Sequence, residues 1–268
     1  MSTCSVGGRV IGYERRGAGP PLLVLNGFAA TMDDWDPTFL AGLEAGREAI
    51  RVDHRGMGGS EGDGEPFAIE DLAADLAGVI GELGLDRPDV LGWSMGGFVA
   101  LALALAEPER VGKLVLLSTS AGGPAATLAA PEVREQLSDL SGTPREQASR
   151  MISLLFLPAR ARMIDAAFGD VVAAARAALP ADAVRAQWRA MEELERAGAA
   201  ARLGELTAPA LVATGSEDVV MPPANSLALA EGIPGAWLAR FPRSGHGFMA
   251  DHPDSLVALI STFLAVAY

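Results

Sequence analysis

Cysteine and positive charge are both scarce in this chain. Cys4 is the only cysteine among 268 residues, which excludes an intrachain disulfide and a metal cluster built on thiolates. The 34 Asp and Glu outnumber the 21 Lys and Arg, so the formal net charge is −13, and Lys113 is the only lysine. Nucleic-acid binding depends on clustered Lys and Arg that neutralise phosphates. This balance therefore argues against a nucleic-acid partner and equally against an anionic membrane surface.

Long hydrophobic runs are also missing. The longest, residues 98–106, is far shorter than the roughly 20 residues needed to cross a bilayer. The first residues lack the apolar core of a signal peptide. We therefore expect a cytoplasmic protein that makes no membrane contact. No feature of the sequence indicates an oligomeric state.

Apolar runs alternate with helical patterns along most of the chain, and half of all residues are hydrophobic. Continuous apolar runs are typical of strands that are buried on both faces of a parallel sheet. The alternation predicts a mostly parallel central sheet covered by helices on both faces. The predicted strands are residues 9–14, 22–25, 49–53, 89–92, 113–117, 210–214 and 236–241, and the predicted helices are 69–83, the segment after Ser94, 183–197 and 253–266.

Residues 124–206 interrupt this alternation. They contain no convincing strand, only Ala- and Arg-rich helical segments broken by prolines. We therefore predict one α/β core domain formed by residues 1–123 and 207–268, with residues 124–206 inserted as a helical unit.

The strongest motif is Gly92-Trp93-Ser94-Met95-Gly96-Gly97, which follows a predicted strand and precedes an apolar helix. Three glycines around one hydroxyl indicate a turn that side chains would obstruct. A strand, G-x-S-x-G and a helix form the pattern of a nucleophile elbow, which raises the serine at the carboxyl edge of the sheet. We predict that Ser94 is a nucleophile. The alternative is a capping serine in a glycine-rich turn.

A serine nucleophile requires a base to accept its proton, and the chain has three histidines. His54 lies in an early glycine-rich turn, ahead of the serine. His252 precedes Pro253, where it suits the start of the last helix. His246 lies between two glycines on a loop that leaves the last predicted strand. His246 is therefore the predicted base.

An acid should orient the imidazole and stabilise its charged form. The strand 210–214 ends in Gly215-Ser216-Glu217-Asp218, and we predict Asp218 as the acid, with Glu217 an exposed neighbour. The loop after the earlier strand, residues 118–123, offers no carboxylate. The chain order Ser94, Asp218, His246 is the one expected for a nucleophile elbow in this architecture.

These motifs resemble the α/β-hydrolase superfamily, specifically its esterase and carbon–carbon hydrolase branch. The matching residues are the stretch around Ser94, residues 53–60 (Asp-His-Arg-Gly-Met-Gly-Gly-Ser), residues 215–218 and Gly245-His246-Gly247. The resemblance implies an oxyanion hole formed by the backbone N–H groups of Met95 and Phe28. It also implies that residues 53–55 form a structural turn and that residues 124–206 are a cap over the site. Related sequences usually have His-Gly where this chain has Asn26-Gly27.

No cofactor and no metal are predicted. The glycine-rich stretch after His54 lacks the third glycine of a dinucleotide fingerprint, and no helix opens directly from it. Four residues close to the catalytic candidates in sequence are predicted to line the pocket: Asn26, Trp93, Met221 and Phe248. Methionine adapts to irregular shapes, which suits a bulky apolar acyl group.

The predicted function is a serine hydrolase that acts on a small, apolar, ester-like substrate through an acyl-enzyme intermediate. Cleavage of a diketone carbon–carbon bond, a lactone or an amide would use the same groups. A lyase, a cofactor-free perhydrolase or haloperoxidase, and a cyclase of secondary metabolism are alternatives that use the same triad. A further alternative is a protein that binds its ligand without turnover.

Overall fold

The computed structural model describes residues 1–268 and contains one eight-stranded sheet. The strands are β1 (Ser2–Val6), β2 (Arg9–Arg16), β3 (Pro21–Leu25), β4 (Glu48–Val52), β5 (Asp89–Trp93), β6 (Leu114–Leu117), β7 (Ala210–Gly215) and β8 (Trp237–Phe241). Their order in the sheet is β1-β2-β4-β3-β5-β6-β7-β8. β1 and β2 are antiparallel to their neighbours, and all other pairings are parallel. The predicted mostly parallel sheet is confirmed.

Ten helices accompany this sheet, and some of them cover each of its two faces. They are α1 (Pro37–Glu44), α2 (Ile69–Glu82), α3 (Met95–Ala106), α4 (Pro131–Ser138), α5 (Pro144–Leu155), α6 (Pro158–Ala178), α7 (Ala181–Ala197), α8 (Ala224–Gly232), α9 (Phe248–Asp251) and α10 (Pro253–Ala265). Two short 3₁₀ segments, Pro108–Arg110 and Ala200–Glu205, complete the regular structure. No helix combines the length and the hydrophobicity needed to span a membrane.

The apolar strands divide their side chains between two cores. In β3, Leu23 and Leu25 pack into the core on the side of α2 and α3, whereas Leu22 and Val24 pack into the core on the side of α1 and α10. Successive side chains of a strand point to opposite faces, so a continuous apolar run is what burial on both faces requires. All four of these side chains are at most 1% exposed.

Four elements were not predicted: β1, α1, α8 and α9. β1 is an edge strand of mostly exposed residues, so it has no apolar run to reveal it. α1, α8 and α9 have 8, 9 and 4 residues, too few turns for a clear helical periodicity. The last helix ends at Ala265, one residue before the predicted end.

Helices α4–α7, which we call the inserted helices, follow β6 and precede β7, and no strand lies among them. The predicted helix 183–197 falls within α7. The parallel strands β5, β7 and β8 end at the same edge of the sheet, and Ser94, Asp218 and His246 follow these three strands. The division into a core of residues 1–123 and 207–268 and a cap of residues 124–206 remains a prediction.

Candidate active site

Ser94 occupies the tight turn between β5 and α3. Its backbone has φ 56° and ψ −119°, a conformation that costs a residue other than glycine on the order of 1–3 kcal/mol. A Cβ atom on Gly92 would overlap the carbonyl of Gly96, and one on Gly96 would overlap the carbonyl of Leu25. The glycines of the motif therefore allow backbone segments to approach closely around the turn. The hydroxyl of Thr119, which lies just after β6, donates to the Ser94 carbonyl at 2.8 Å and so stabilises the turn.

His246 and Asp218 form a buried pair. His246 Nδ1 lies 2.8 Å from Asp218 Oδ2, and both side chains are almost wholly buried. The other oxygen of Asp218, Oδ1, accepts the backbone N–H groups of Val220 at 2.9 Å and Met221 at 2.8 Å. The carboxylate can only accept, so the hydrogen bond places a proton on His246 Nδ1 and leaves Nε2 free to act as an acceptor.

The other candidate base, His252, and the other candidate acid, Glu217, take no part in this pair. His252 Nε2 donates to the carbonyl of Pro242 at 3.0 Å, and its ring packs on Phe241. Glu217 is exposed, whereas Asp218 is 4% exposed.

Ser94 and His246 line one cavity of about 210 Å³, of whose 23 lining residues 16 are hydrophobic. Trp93 also lines it, and its indole N–H donates to the backbone carbonyl of His246 at 3.1 Å, which ties the histidine loop to the end of β5. The inserted helices form one wall of the cavity through Leu137, Met151, Ile152, Leu155, Ile164, Val172, Arg176 and Met191.

Three predicted pocket residues do not line this cavity: Asn26, Met221 and Phe248. Phe248 is fully buried in the core beside α10, and Met221 packs into the core beside α2 and α3. Their neighbours Met249 and Val220 line the cavity instead. Met221 and Phe248 are thus next to residues that line the cavity, but the side chains of both point into a core.

Asn26 holds the loop between β3 and α1. Its Oδ1 accepts the N–H of Gly27 at 2.9 Å, and its Nδ2 donates to the carbonyl of Thr31 at 2.6 Å. The backbone carbonyl of Asn26 accepts His54 Nε2–H at 3.0 Å. Burial lowers the pKa of His54, which disfavours the charged form of the ring. The side chain of Asn26 therefore fixes the conformation of the loop and does not line the cavity.

The backbone N–H groups of Phe28 and Met95 donate no hydrogen bond within the chain. Phe28 lines the cavity beside Ser94, and Met95 begins α3 directly after it. Unpaired N–H groups at a helix start and in an adjacent loop suit the binding of negative charge.

The turn at residues 53–55 makes structural contacts. Asp53 accepts the N–H groups of Met32 at 2.7 Å and Gly59 at 2.8 Å, and burial raises the pKa of its carboxyl group. Arg55 forms two hydrogen bonds with Asp75, at 2.7 and 2.8 Å.

Sequence reasoning missed three polar residues of this region: Trp35, Arg176 and Gln187. Trp35 and Arg176 line the cavity, and each has a buried nitrogen, Nε1 and Nε respectively, without a hydrogen-bond partner. Burial lowers the pKa of Arg176, but a guanidinium remains charged in proteins. No local motif marks these residues, because each reaches the site from a segment distant in sequence from Ser94.

A serine on a strained strand-to-helix turn in a mostly parallel sheet has the geometry of the nucleophile elbow of the α/β-hydrolase fold. The chain belongs to the alpha/beta hydrolase fold family, whose sequence model matches residues 20–253.

Two sequence relatives and one solved structure illustrate the range of the family. A protein of Azorhizobium caulinodans named for carbamate hydrolysis (RutD) is 31% identical over 90% of both chains. A 2-hydroxy-6-oxononadienedioate/2-hydroxy-6-oxononatrienedioate hydrolase of Cupriavidus pinatubonensis is 34% identical over 83% of this chain and 78% of its own. The structure of a thermophilic esterase from Thermogutta terrifontis matches 98% of both chains with a TM-score of 0.82 and 26% identity.

Proposed function

We propose that this protein is a serine hydrolase that cleaves a carboxylic ester through a covalent acyl-enzyme, with Ser94 as nucleophile, His246 as base and Asp218 as orienting acid. The observation that carries the proposal is the buried His246–Asp218 pair, whose histidine shares one apolar cavity with Ser94. A serine hydroxyl becomes an effective nucleophile when an oriented imidazole accepts its proton.

The reaction proceeds in two halves. Ser94 Oγ attacks the ester carbonyl while His246 Nε2 accepts the hydroxyl proton, and Asp218 stabilises the resulting imidazolium. The N–H groups of Phe28 and Met95 donate to the oxyanion, and one such donor is worth about 2.7–4 kcal/mol in the transition state. The intermediate collapses as His246 protonates the departing alcohol. Water, deprotonated by His246, then attacks the acyl-enzyme and releases the acid and Ser94.

The cavity favours an apolar acyl group. Most of its lining is hydrophobic, and the inserted helices supply much of that surface. Residues 124–206 act in this proposal as a cap that excludes water from the reacting carbonyl.

The second candidate function is carbon–carbon cleavage of a diketone that carries a carboxylate. Arg176 lines the cavity, which Asp34 and Asp36 also line, and no carboxylate lies within salt-bridge distance of its guanidinium. A guanidinium without a paired carboxylate can bind a ligand carboxylate through charge-assisted hydrogen bonds. The relative from Cupriavidus pinatubonensis carries a name that describes hydrolysis of dioate substrates.

The test of the first proposal is turnover of activated esters by the native protein, Ser94→Ala and Ser118→Ala. Ser118 is a matched control because it is buried, has a positive φ of 44°, makes no side-chain hydrogen bond and does not line the cavity. Loss of a triad serine can cost about a million-fold in turnover. Ester turnover that survives Ser94→Ala would refute the proposal.

The second candidate is tested with two matched esters that end in a methyl group or a carboxylate. For a carboxylate site at Arg176, Arg176→Met lowers kcat/KM for the anionic ester more than for the neutral ester. An unchanged ratio between the two esters removes the support for this candidate.

A further inference from the structure

Ala29, the residue after Phe28, has a strained backbone. Its φ is 52°, in the left-handed region, and its side chain is 6% exposed. This conformation costs a residue with a Cβ roughly 1–2 kcal/mol, so surrounding contacts must maintain it.

Both backbone polar groups of Ala29 are held by side chains of the inserted helices. Gln187 Oε1, on α7, accepts the Ala29 N–H at 2.9 Å. Arg176 Nη1, on α6, donates to the Ala29 carbonyl at 3.3 Å. The amide orientation of Gln187 is determined because only its oxygen can accept from an N–H. Two helices more than 140 residues away in sequence therefore fix one loop residue.

Gln187 makes this contact although its amide is buried with one polar atom unpaired. Its side chain is fully buried, and its Nε2 has no hydrogen-bond partner. Leaving a buried donor unpaired costs about 1–3 kcal/mol, so a nonpolar residue of similar size would suit packing alone better. The amide is consistent with a role that depends on its oxygen.

We propose that Gln187, assisted by Arg176, is a positioning residue for the oxyanion hole, a role that rests on the serine-hydrolase function proposed above. The hydrogen bond to the Ala29 N–H fixes the peptide plane between Phe28 and Ala29. The side chain of Asn26 fixes the N–H of Gly27 on the other side. The Phe28 N–H belongs to the peptide unit between these two anchored units and has no acceptor within the chain, which leaves it available to an oxyanion.

The proposal predicts an effect on the transition state more than on substrate binding. Complete removal of one oxyanion donor lowers kcat by about 10²–10³-fold, which sets the upper limit for misplacing it. For Gln187→Met we expect kcat to fall about 10- to 100-fold, with KM changed by less than about threefold.

The experiment compares Gln187→Met, Gln187→Glu and the control Gln147→Met on a neutral activated ester. Glutamate keeps an accepting oxygen in either protonation state, so Gln187→Glu should recover most of the lost kcat. Gln147 is half-buried on α5, and its amide donates only to the carbonyls of Leu140 and Gly142 in the loop before that helix. Inhibition by a trifluoromethyl ketone, which binds as an oxyanion, should weaken in Gln187→Met in parallel with kcat.

Several outcomes would overturn the proposal. They are a Gln187→Met kcat within about twofold of the native value, an equal loss in Gln147→Met, or no recovery in Gln187→Glu. If Gln187→Met does not fold, Arg176→Met with unchanged kcat on the neutral ester overturns it. The rate at which a phosphonate labels Ser94 is measured in every variant, because that reaction also places charge in the hole. If the phosphonate labels Ser94 of the native protein but esters are not turned over, the ester-hydrolase function is refuted. The positioning role of Gln187 is then still tested by the labelling rates.

Discussion

Replacing Asp218 by Asn tests the orientation of His246 with little change in shape. Asp218 Oδ1 accepts two backbone N–H groups, so an asparagine must keep its oxygen there and direct its NH₂ at His246 Nδ1. Nδ1 must then accept, which moves the imidazole proton to Nε2, and in the proposed triad this Nε2–H would meet the Ser94 hydroxyl as a donor. The histidine can no longer remove the serine proton. In a serine protease with the same exchange, kcat falls by about 10⁴, equivalent to about 5.4 kcal/mol of barrier.

The assay is kcat/KM on an activated ester, with thermal unfolding measured on the same preparations. Asp218→Asn should retain a near-native Tm because both N–H groups keep their acceptor. Asp218→Ala is the contrasting variant: it leaves the buried N–H groups of Val220 and Met221 unpaired, at about 1–3 kcal/mol each. Asp218→Asn activity within tenfold of native would contradict this reasoning. So would a Tm loss in Asp218→Asn as large as that in Asp218→Ala.

Three further predictions concern stability. Ser94→Gly should be more stable than Ser94→Ala by roughly 1 kcal/mol and so unfold at a higher temperature, because glycine tolerates the positive φ; equal Tm values would contradict the strain. Gly96→Ala should destabilise by about 1–3 kcal/mol or fail to fold, since its Cβ would meet backbone carbonyls, whereas Gly204→Ala has open space and serves as the control in the same urea titration. Burial holds the pKa of His54 below its unfolded value of about 6.5, so the unfolded chain takes up the proton first and the free energy of unfolding falls as pH drops through that value. In urea titrations from pH 7.5 to 5, His54→Gln should therefore lose less stability than the native protein. An identical loss would exclude His54 as a source of this pH dependence.

The sequence was sufficient to predict those features that local patterns encode. The apolar runs specified the central parallel strands β3, β5, β6 and β7, because burial on both faces demands such runs. The glycines around Ser94 indicated the turn, since a Cβ at Gly92 or Gly96 would collide with backbone. The pairing of His246 with Asp218 followed from the ends of β7 and β8, which topology brings together at one edge.

Side-chain direction within a loop could not be predicted in the same way. Met221 and Phe248 were expected in the pocket, yet Val220 and Met249 line it. A shift of one residue exchanges the cavity for the core, and neither the loop at residues 220–221 nor the four-residue helix α9 is long enough to show a periodicity that tells the two sides apart. Arg176 and Gln187 were missed for a different reason: their contacts with Ala29 span 147 and 158 residues.

The loop that carries Phe28 depends on side chains from several separate segments. Asn26 ties the loop to itself, Asp53 and His54 reach it from the end of β4, and Gln187 and Arg176 reach it from the inserted helices. The last two residues hydrogen-bond to Ala29, whose backbone is in the strained left-handed region. The inserted helices therefore have two connected roles in the proposed enzyme, since they supply the apolar wall and also fix the donor to the oxyanion. A substitution in α6 or α7 can then change the rate of the chemical step without touching Ser94, His246 or the substrate.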